Sequence, residues 1–280
     1  MRNKYEYRGL WFILPSLLGV MIFILLPFMD VVRRSFMGAV NGRWVGLANY
    51  RNVLGNQAFL LAAGNTARFA AICIPLLIGL SLFTAVFLQR YKTWGGWLKS
   101  AYLVPMAIPV ASVVLLWRVL FDRQGILNGG LSLLGLPVRD WMNSGTAFGV
   151  LVFSYIWKNL GYDVVLWMAG LSAIPESLSE AARVDGASEW QCFWRITLPN
   201  LIPTLFTITV LSFLNSFKVF REAYLVAGNY PDQSMYLMQH LFNNWFRDLD
   251  MDKMAAGAVL MSLVILALIL LLQKAWGREE

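Results

Sequence analysis

The sequence predicts an all-α integral membrane protein with six transmembrane helices, and three observations predict it. Only 14% of the 280 residues are charged while 58% are hydrophobic, against about 25% charged residues in a typical soluble chain. The charges are kept out of long runs: Gly9 to Met29, Phe69 to Leu88, Ser100 to Trp117, Ile196 to Phe217 and Met254 to Gln273 carry none. Each run approaches the ~20 apolar residues that a helix needs to cross a hydrocarbon core. None of them has the alternating pattern of a membrane barrel. Lipid offers the backbone no water, so each run must close its own hydrogen bonds as a helix.

Taken in order, the first run follows "MRNKYEYRGLWF". It exceeds the roughly 7–15 apolar residues of a secretory signal and ends without a small-residue cleavage site, which predicts an uncleaved membrane helix. Residues 1–60 are expected to hold the N-terminal tail, this first span and an external segment. Residues 61–280 are expected to hold a core of five spans and a turn-rich loop at about 174–203. The fourth span, near Thr146 to Gly170, is interrupted by Lys158 and Asp163. Arg2, Lys4 and Arg8 in the tail, and Arg90, Lys92 and Lys99 between spans two and three, put both termini in the cytoplasm by the positive-inside rule. The rule is not obeyed throughout, since that topology leaves 12 Lys/Arg outside against 10 inside.

Several function classes drop out. The two cysteines, Cys73 and Cys192, fall at different depths and imply neither a disulfide nor a metal site, and His240 is the only histidine. No histidine-based metal centre or catalytic triad can be assembled. A net charge of +7 without a basic, aromatic-interleaved run points to anionic lipid headgroups rather than nucleic acid.

Between spans four and five lies "SEAARVDGASEWQCFWRITLPNLIP", residues 179–203. It reads as two short helices joined by a turn. Pro175 suits a first helical turn, and Ser177 with Glu180 has capping-box spacing. Ala181, Ala182 and Ala187 give a face with almost no side chain. Asp185-Gly186 signals the turn, Ser188 with Gln191 repeats the capping spacing, and Pro199 and Pro203 lead into span five. On these residues alone the segment serves equally as a docking helix for another protein or as a plain turn between spans.

Glu180-Ala181-Ala182, Asp185-Gly186-Ala187, Leu198-Pro199 and Pro203 resemble the "EAA" loop of binding-protein-dependent ABC import permeases, ungapped. Other segments resemble the carbohydrate-uptake type of that family: "WVGLANYRNVL" from Trp44, "NTARF" from Asn65, the pair Pro105 and Pro109, "GILN" from Gly125 and "SFKVFREAYLVAGNYP" from Ser216. The last departs from the usual "LTGGGP", reading Leu225-Val226-Ala227-Gly228-Asn229-Tyr230-Pro231. The resemblance implies a type I importer permease fold in a bacterial cytoplasmic membrane, with a cytoplasmic coupling helix seated on a separate ATPase. It implies as partners a second homologous permease, two ATP-binding cassette subunits, an extracytoplasmic solute-binding protein and a sugar. ATP and Mg would be used by the partner ATPase and no cofactor held by this chain. Glu180, Ala181, Ala182, Asp185, Gly186, Ala187, Leu198 and Pro199 would carry the coupling.

Polar groups inside a span are costly and mark pathways. Tyr155, Asn159, Tyr162 and Asp163 fall on one face of span four, and Ser212, Asn215 and Lys218 on one face of span five, continued by Glu222. Lys158 stands off the first stripe. The two stripes are candidates to line a solute path, aromatic rings suiting sugar C–H faces and amides and carboxylates its hydroxyls. Bonds between helices explain the same residues. "HLFNNWFRDLDMDK" from His240 fits either a docking surface for a binding protein or a solvated helix leading into span six.

No G-x-x-x-x-G-K-[ST] loop is present, so the chain is expected to be a non-catalytic subunit beside an ATPase. A glycerol-phosphate-type solute is the alternative to a sugar. A self-sufficient secondary transporter is the other, and it would call for inverted repeats or ion-binding carboxylates, of which Asp163 is the one candidate.

Overall fold

The computed structural model describes residues 3–39, 41–90 and 95–276. Among them the chain is helical throughout, apart from turns and an isolated antiparallel bridge between Met37 and Trp44. Of the basic residues behind the expected orientation, Arg2 and Lys92 lie outside the described residues, as do the side chains of Lys4, Arg8, Arg90 and Lys99.

Helix α1 (Asn3–Val20) runs through a π-helical turn at Met21–Leu25 into α2 (Leu26–Ser35). The short α3 (Ala48–Leu54) precedes α4 (Gln57–Arg90), a 34-residue helix. Then come α5 (Gly95–Ala107), α6 (Val110–Phe121), α7 (Ile126–Leu133) and the long α8 (Ala147–Ala173). The polar loop forms α9 (Glu176–Val184), α10 (Glu189–Cys192), a π turn and α11 (Leu198–Asn200). Next, α12 (Ile202–Ser216) passes through a 3-10 turn into α13 (Phe220–Ala227). Finally α14 (Met238–Arg247) leads to α15 (Met251–Trp276).

Among the described residues, four stretches are long and apolar enough to cross a membrane: Phe12–Ser35, Gln57–Gln89, Ile202–Ala227 and Met251–Lys274. The third expected span is a bent pair. Its helix breaks at Ile108-Pro109, and Ala101–Ala107 and Val110–Leu133 differ in direction by 104°. Pro109 has no N–H to continue the ladder and pushes Ile108 out of helical geometry. It caps α6 instead, at φ −57° and ψ 143°. The expected fourth span is α8, 27 residues long. It stands outside those four because its middle carries Lys158, Asn159 and Asp163.

The chain divides into two compact units. The first holds residues 1–60 and 242–267. Its local order comes from Asn49, whose buried amide donates to the carbonyls of Ser35 (3.0 Å) and Met37 (2.9 Å). Phe36 stacks on Trp44 at 5.1 Å, and the Ser35 and Tyr50 hydroxyls lie 2.6 Å apart.

The second unit holds residues 61–241 and 268–280. Its core layers α4, α8 and α12 through Ala85, Leu88, Val164, Trp167, Leu171, Leu201 and Ile208. Farther along α4 and α8, Phe69, Cys73, Leu77, Leu151 and Tyr155 pack with Val219 and Leu237. Polar tips within these layers are paired: Trp167 Nε1 donates to Ser81 Oγ (3.0 Å), and Trp117 Nε1 to Ser154 Oγ (2.8 Å). Asn65 donates to the carbonyls of Gln233 (2.6 Å) and Tyr236 (3.0 Å), while Thr66 Oγ1 accepts from Met238 N (3.0 Å). Asn128 donates to the carbonyls of Asp122, Arg123 and Arg139 and accepts from Trp141 Nε1. α5 lies so close to α8 that a Cβ at Gly161 would collide with the carbonyl of Tyr102.

Candidate functional site: a polar cavity and an exposed helix–turn–helix

The apolar faces of α8 and α12 zip the two helices together, and where the zip ends a cavity opens. Tyr155 donates its hydroxyl to the Ser212 carbonyl at 2.6 Å, and Ser212 Oγ donates to Asp163 Oδ2 at 2.9 Å. Asp163 and Ser212 are each 1% exposed, so both are spent on the helix interface. Toward α13 the walls part around a small cavity of about 140 Å³. Tyr155, Asn159, Asn215 and Lys218 line it, with Lys158, Arg221 and Glu222 and the apolar Met106, Val110 and Val219.

The structure therefore sorts the two stripes. Tyr155, Asn159, Asn215 and Lys218 come together at the cavity. Asp163 and Ser212 hold helix to helix, and Tyr162 is not on the cavity wall. Asn159 Nδ2 is bound to the Tyr155 carbonyl at 2.8 Å, and Lys218 Nζ donates to Asn215 Oδ1 at 2.7 Å. Lys158, which helical spacing sets off the stripe, lies on the cavity and donates to Glu222 Oε1 at 2.6 Å. Its side chain is 19% exposed and that of Glu222 only 7%. The other oxygen of Glu222 is buried without a partner. An unpaired oxygen of this kind is expensive to leave unmet.

The helix–turn–helix between α8 and α12 forms as its residues dictate, with one exception. α9 ends in a Schellman turn: Ala187 N–H donates to the Ala182 carbonyl (2.9 Å) and Gly186 N–H to that of Arg183 (3.0 Å). Gly186 has φ +83°, with nothing within 4 Å of where a Cβ would stand. Glycine is needed there for its backbone, not for a close approach. At α10 the Ser188–Gln191 capping box is complete in both directions. The Ser177–Glu180 box is absent, because Pro175 takes the N-cap position and leaves Ser177 inside α9. Arg183 Nε donates to Glu189 Oε1 at 2.8 Å and ties the helices across the turn. That hydrogen bond holds the guanidinium pKa above its ordinary value.

Glu180, Ala181, Asp185, Gly186 and Pro199 are exposed, while Ala182, Ala187 and Leu198 are half-buried. Beside them stand Val184 at 87%, Trp190 at 70% and Trp194 at 49% exposure. Apolar side chains left open in this way occur where a surface meets a protein partner or a membrane. In the stretch from His240, the α14 residues His240, Leu241, Asn244 and Trp245 are buried while Phe246 to Leu249 are exposed.

An apolar helix bundle with a polar cavity and an outward-facing turn is the architecture of a membrane permease subunit. The chain belongs to the family of binding-protein-dependent transport system inner membrane components, which matches residues 77–278. It is similar to the trehalose/maltose transport system permease protein MalF of Thermococcus litoralis, at 30% identity over 277 residues, covering 95% of this chain and 94% of that one. It is also similar to the arabinooligosaccharides transport system permease protein AraP of Bacillus subtilis, at 29% identity and 95% and 87% coverage. The sn-glycerol-3-phosphate permease protein UgpA of Agrobacterium fabrum is 28% identical, at 91% and 89% coverage. Among solved structures, a bacterial ABC transporter that imports the acidic polysaccharide alginate shares the fold, with TM-score 0.85, 21% identity and 99% coverage of both chains.

Proposed function

We propose that this chain is the solute-conducting permease subunit of an ATP-driven importer for a carbohydrate delivered by an extracytoplasmic binding protein. The observation that carries the reading is the polar cavity walled by α8, α12 and α13, in a chain whose relatives are named as permeases for trehalose/maltose and arabinooligosaccharides. Tyr155, Asn159, Asn215 and Lys218 contact the solute on its way through. The complete path forms against a second, homologous permease, and α8 serves as the fourth of six spans with both termini in the cytoplasm.

The exposed turn is the coupling element. Glu180, Ala181, Ala182, Asp185, Gly186 and Ala187 dock on one of two partner ATPases, which hydrolyse ATP with Mg, and Leu198-Pro199 passes the motion on to α12. The two ends of the turn continue directly into α8 and α12, the helices that wall the cavity. Rotation of the turn as a rigid body therefore tilts both walls and exchanges inward for outward access.

The test is accumulation of radiolabelled solute in proteoliposomes holding the purified complex with ATP inside and the loaded binding protein outside. ATP-dependent accumulation above the external concentration is expected. Uptake by this chain alone, without an ATPase, would make it a secondary carrier and end the proposal.

A further inference from the structure

The charges around the cavity are not balanced. Lys158, Lys218 and Arg221 face it with Glu222 as the sole carboxylate on the wall. Glu222 is taken by Lys158 at 2.6 Å. Lys218 has an amide oxygen, that of Asn215, for a partner. Neither Lys218 nor Arg221 is among the ion pairs of the described residues. Both belong to the apolar stretch Ile202–Ala227 that is long enough to span the membrane. Both side chains are nonetheless exposed. Of the cavity's neutral polar groups, the Tyr155 hydroxyl is taken by Ser212 and the Asn159 amide nitrogen by its own helix. The exposed side chains of Lys218 and Arg221 remain open to a solute.

Resting on the permease reading above, we propose that the solute of this importer is an acidic carbohydrate. Its carboxylate or phosphate is received by Lys218 and Arg221. A guanidinium and an ammonium side by side offer charge-assisted hydrogen bonds to either oxyanion.

The experiment uses the whole importer in proteoliposomes with its binding protein and three probes: digalacturonate, glycerol 3-phosphate and maltose. At least one of the two anions is expected to accumulate ten times faster than maltose, and which one does identifies carboxylate or phosphate. Lys218→Met combined with Arg221→Met is expected to lower uptake of that anion at least tenfold, mainly through KM, with the complex still assembled. Maltose entering as fast as either anion overturns the inference. So does accumulation of none of the three, or anion uptake by the double variant within twofold of the parent, as expected if the two side chains merely reach lipid headgroups. Whether accumulation needs ATP reports separately on the permease reading, whichever probe enters.

Discussion

Gly161, two residues along α8 from the cavity-lining Asn159, is packed tightly against α5, and its replacement by alanine tests that packing. A Cβ there collides with the carbonyl of Tyr102 and comes within 3.1 Å of Leu103 N, both on the α5 backbone. Backbone cannot rotate out of the way as a side chain can, so α5 and α8 must separate. Overpacking of this sort costs ~1–3 kcal/mol, and the separation here places the cost toward the upper end. Alanine recovers up to about 1 kcal/mol through its better helix propensity. The expected balance is a loss of about 2 kcal/mol, a fall in melting temperature of roughly 4–8 °C. Gly161 lies two residues from Asn159, so the displacement also moves the cavity wall. Uptake should fall at least fivefold in complexes that still purify intact. Thermal unfolding of the detergent-solubilised complex reads the first effect, and initial uptake rate per assembled complex the second. A Gly161→Ala complex that melts and transports like the parent refutes the close approach of α5 to α8.

Lys158→Met should strand the carboxylate of Glu222, 7% exposed, and destabilise the complex by ~3–5 kcal/mol, whereas Lys158→Met with Glu222→Met should recover most of it; a single variant as stable as the double, measured by thermal melting, contradicts the pair. Gly186→Ala must hold φ +83° with a Cβ, at a local cost of about 1 kcal/mol, and is expected to lower solute-stimulated ATP hydrolysis several-fold while the complex assembles normally. His240, 0% exposed, has its pKa pushed down by burial to about 4. The unfolded chain takes up that proton first, so stability should fall as pH drops from about 6.5 toward 4, by up to ~1.4 kcal/mol per unit. Melting profiles across that range should flatten in His240→Gln, and an unchanged slope shows that His240 does not set it.

Much of this was legible because it is local. Long uncharged runs have to become helices in lipid, and the signals for a turn at Asp185-Gly186 and a cap at Ser188 act within five residues of themselves. Both formed as spelled. The Ser177–Glu180 box obeyed the same spacing and did not form, since Pro175 competes for the cap two residues earlier. Pro109 bent the third span for an equally local reason, although a run without charge reads as unbroken. The cavity was legible only in half. Helical spacing brings Tyr155, Asn159, Asn215 and Lys218 to one region, but it has no means of showing that Asp163 and Ser212 are consumed by each other. Nor does it reveal that Lys158 reaches Glu222, 64 residues away. The same holds for Asn49, Asn65 and Asn128. Their segments resemble family motifs, and their work in this chain is to bind loop carbonyls that no short window of sequence contains.

The central claim is that motion at the 176–192 turn, driven from outside this chain, moves the walls of the cavity. Both native cysteines are buried, so Ala182→Cys offers a single accessible thiol on the turn. Paired with a cysteine on the facing surface of the ATPase, it should form a disulfide whose yield changes when ATP and solute-loaded binding protein are added, and locking that bond should stop uptake. Labelling of the same thiol in intact cells by a membrane-impermeant maleimide, with no cross-link to the ATPase, would contradict the claim outright.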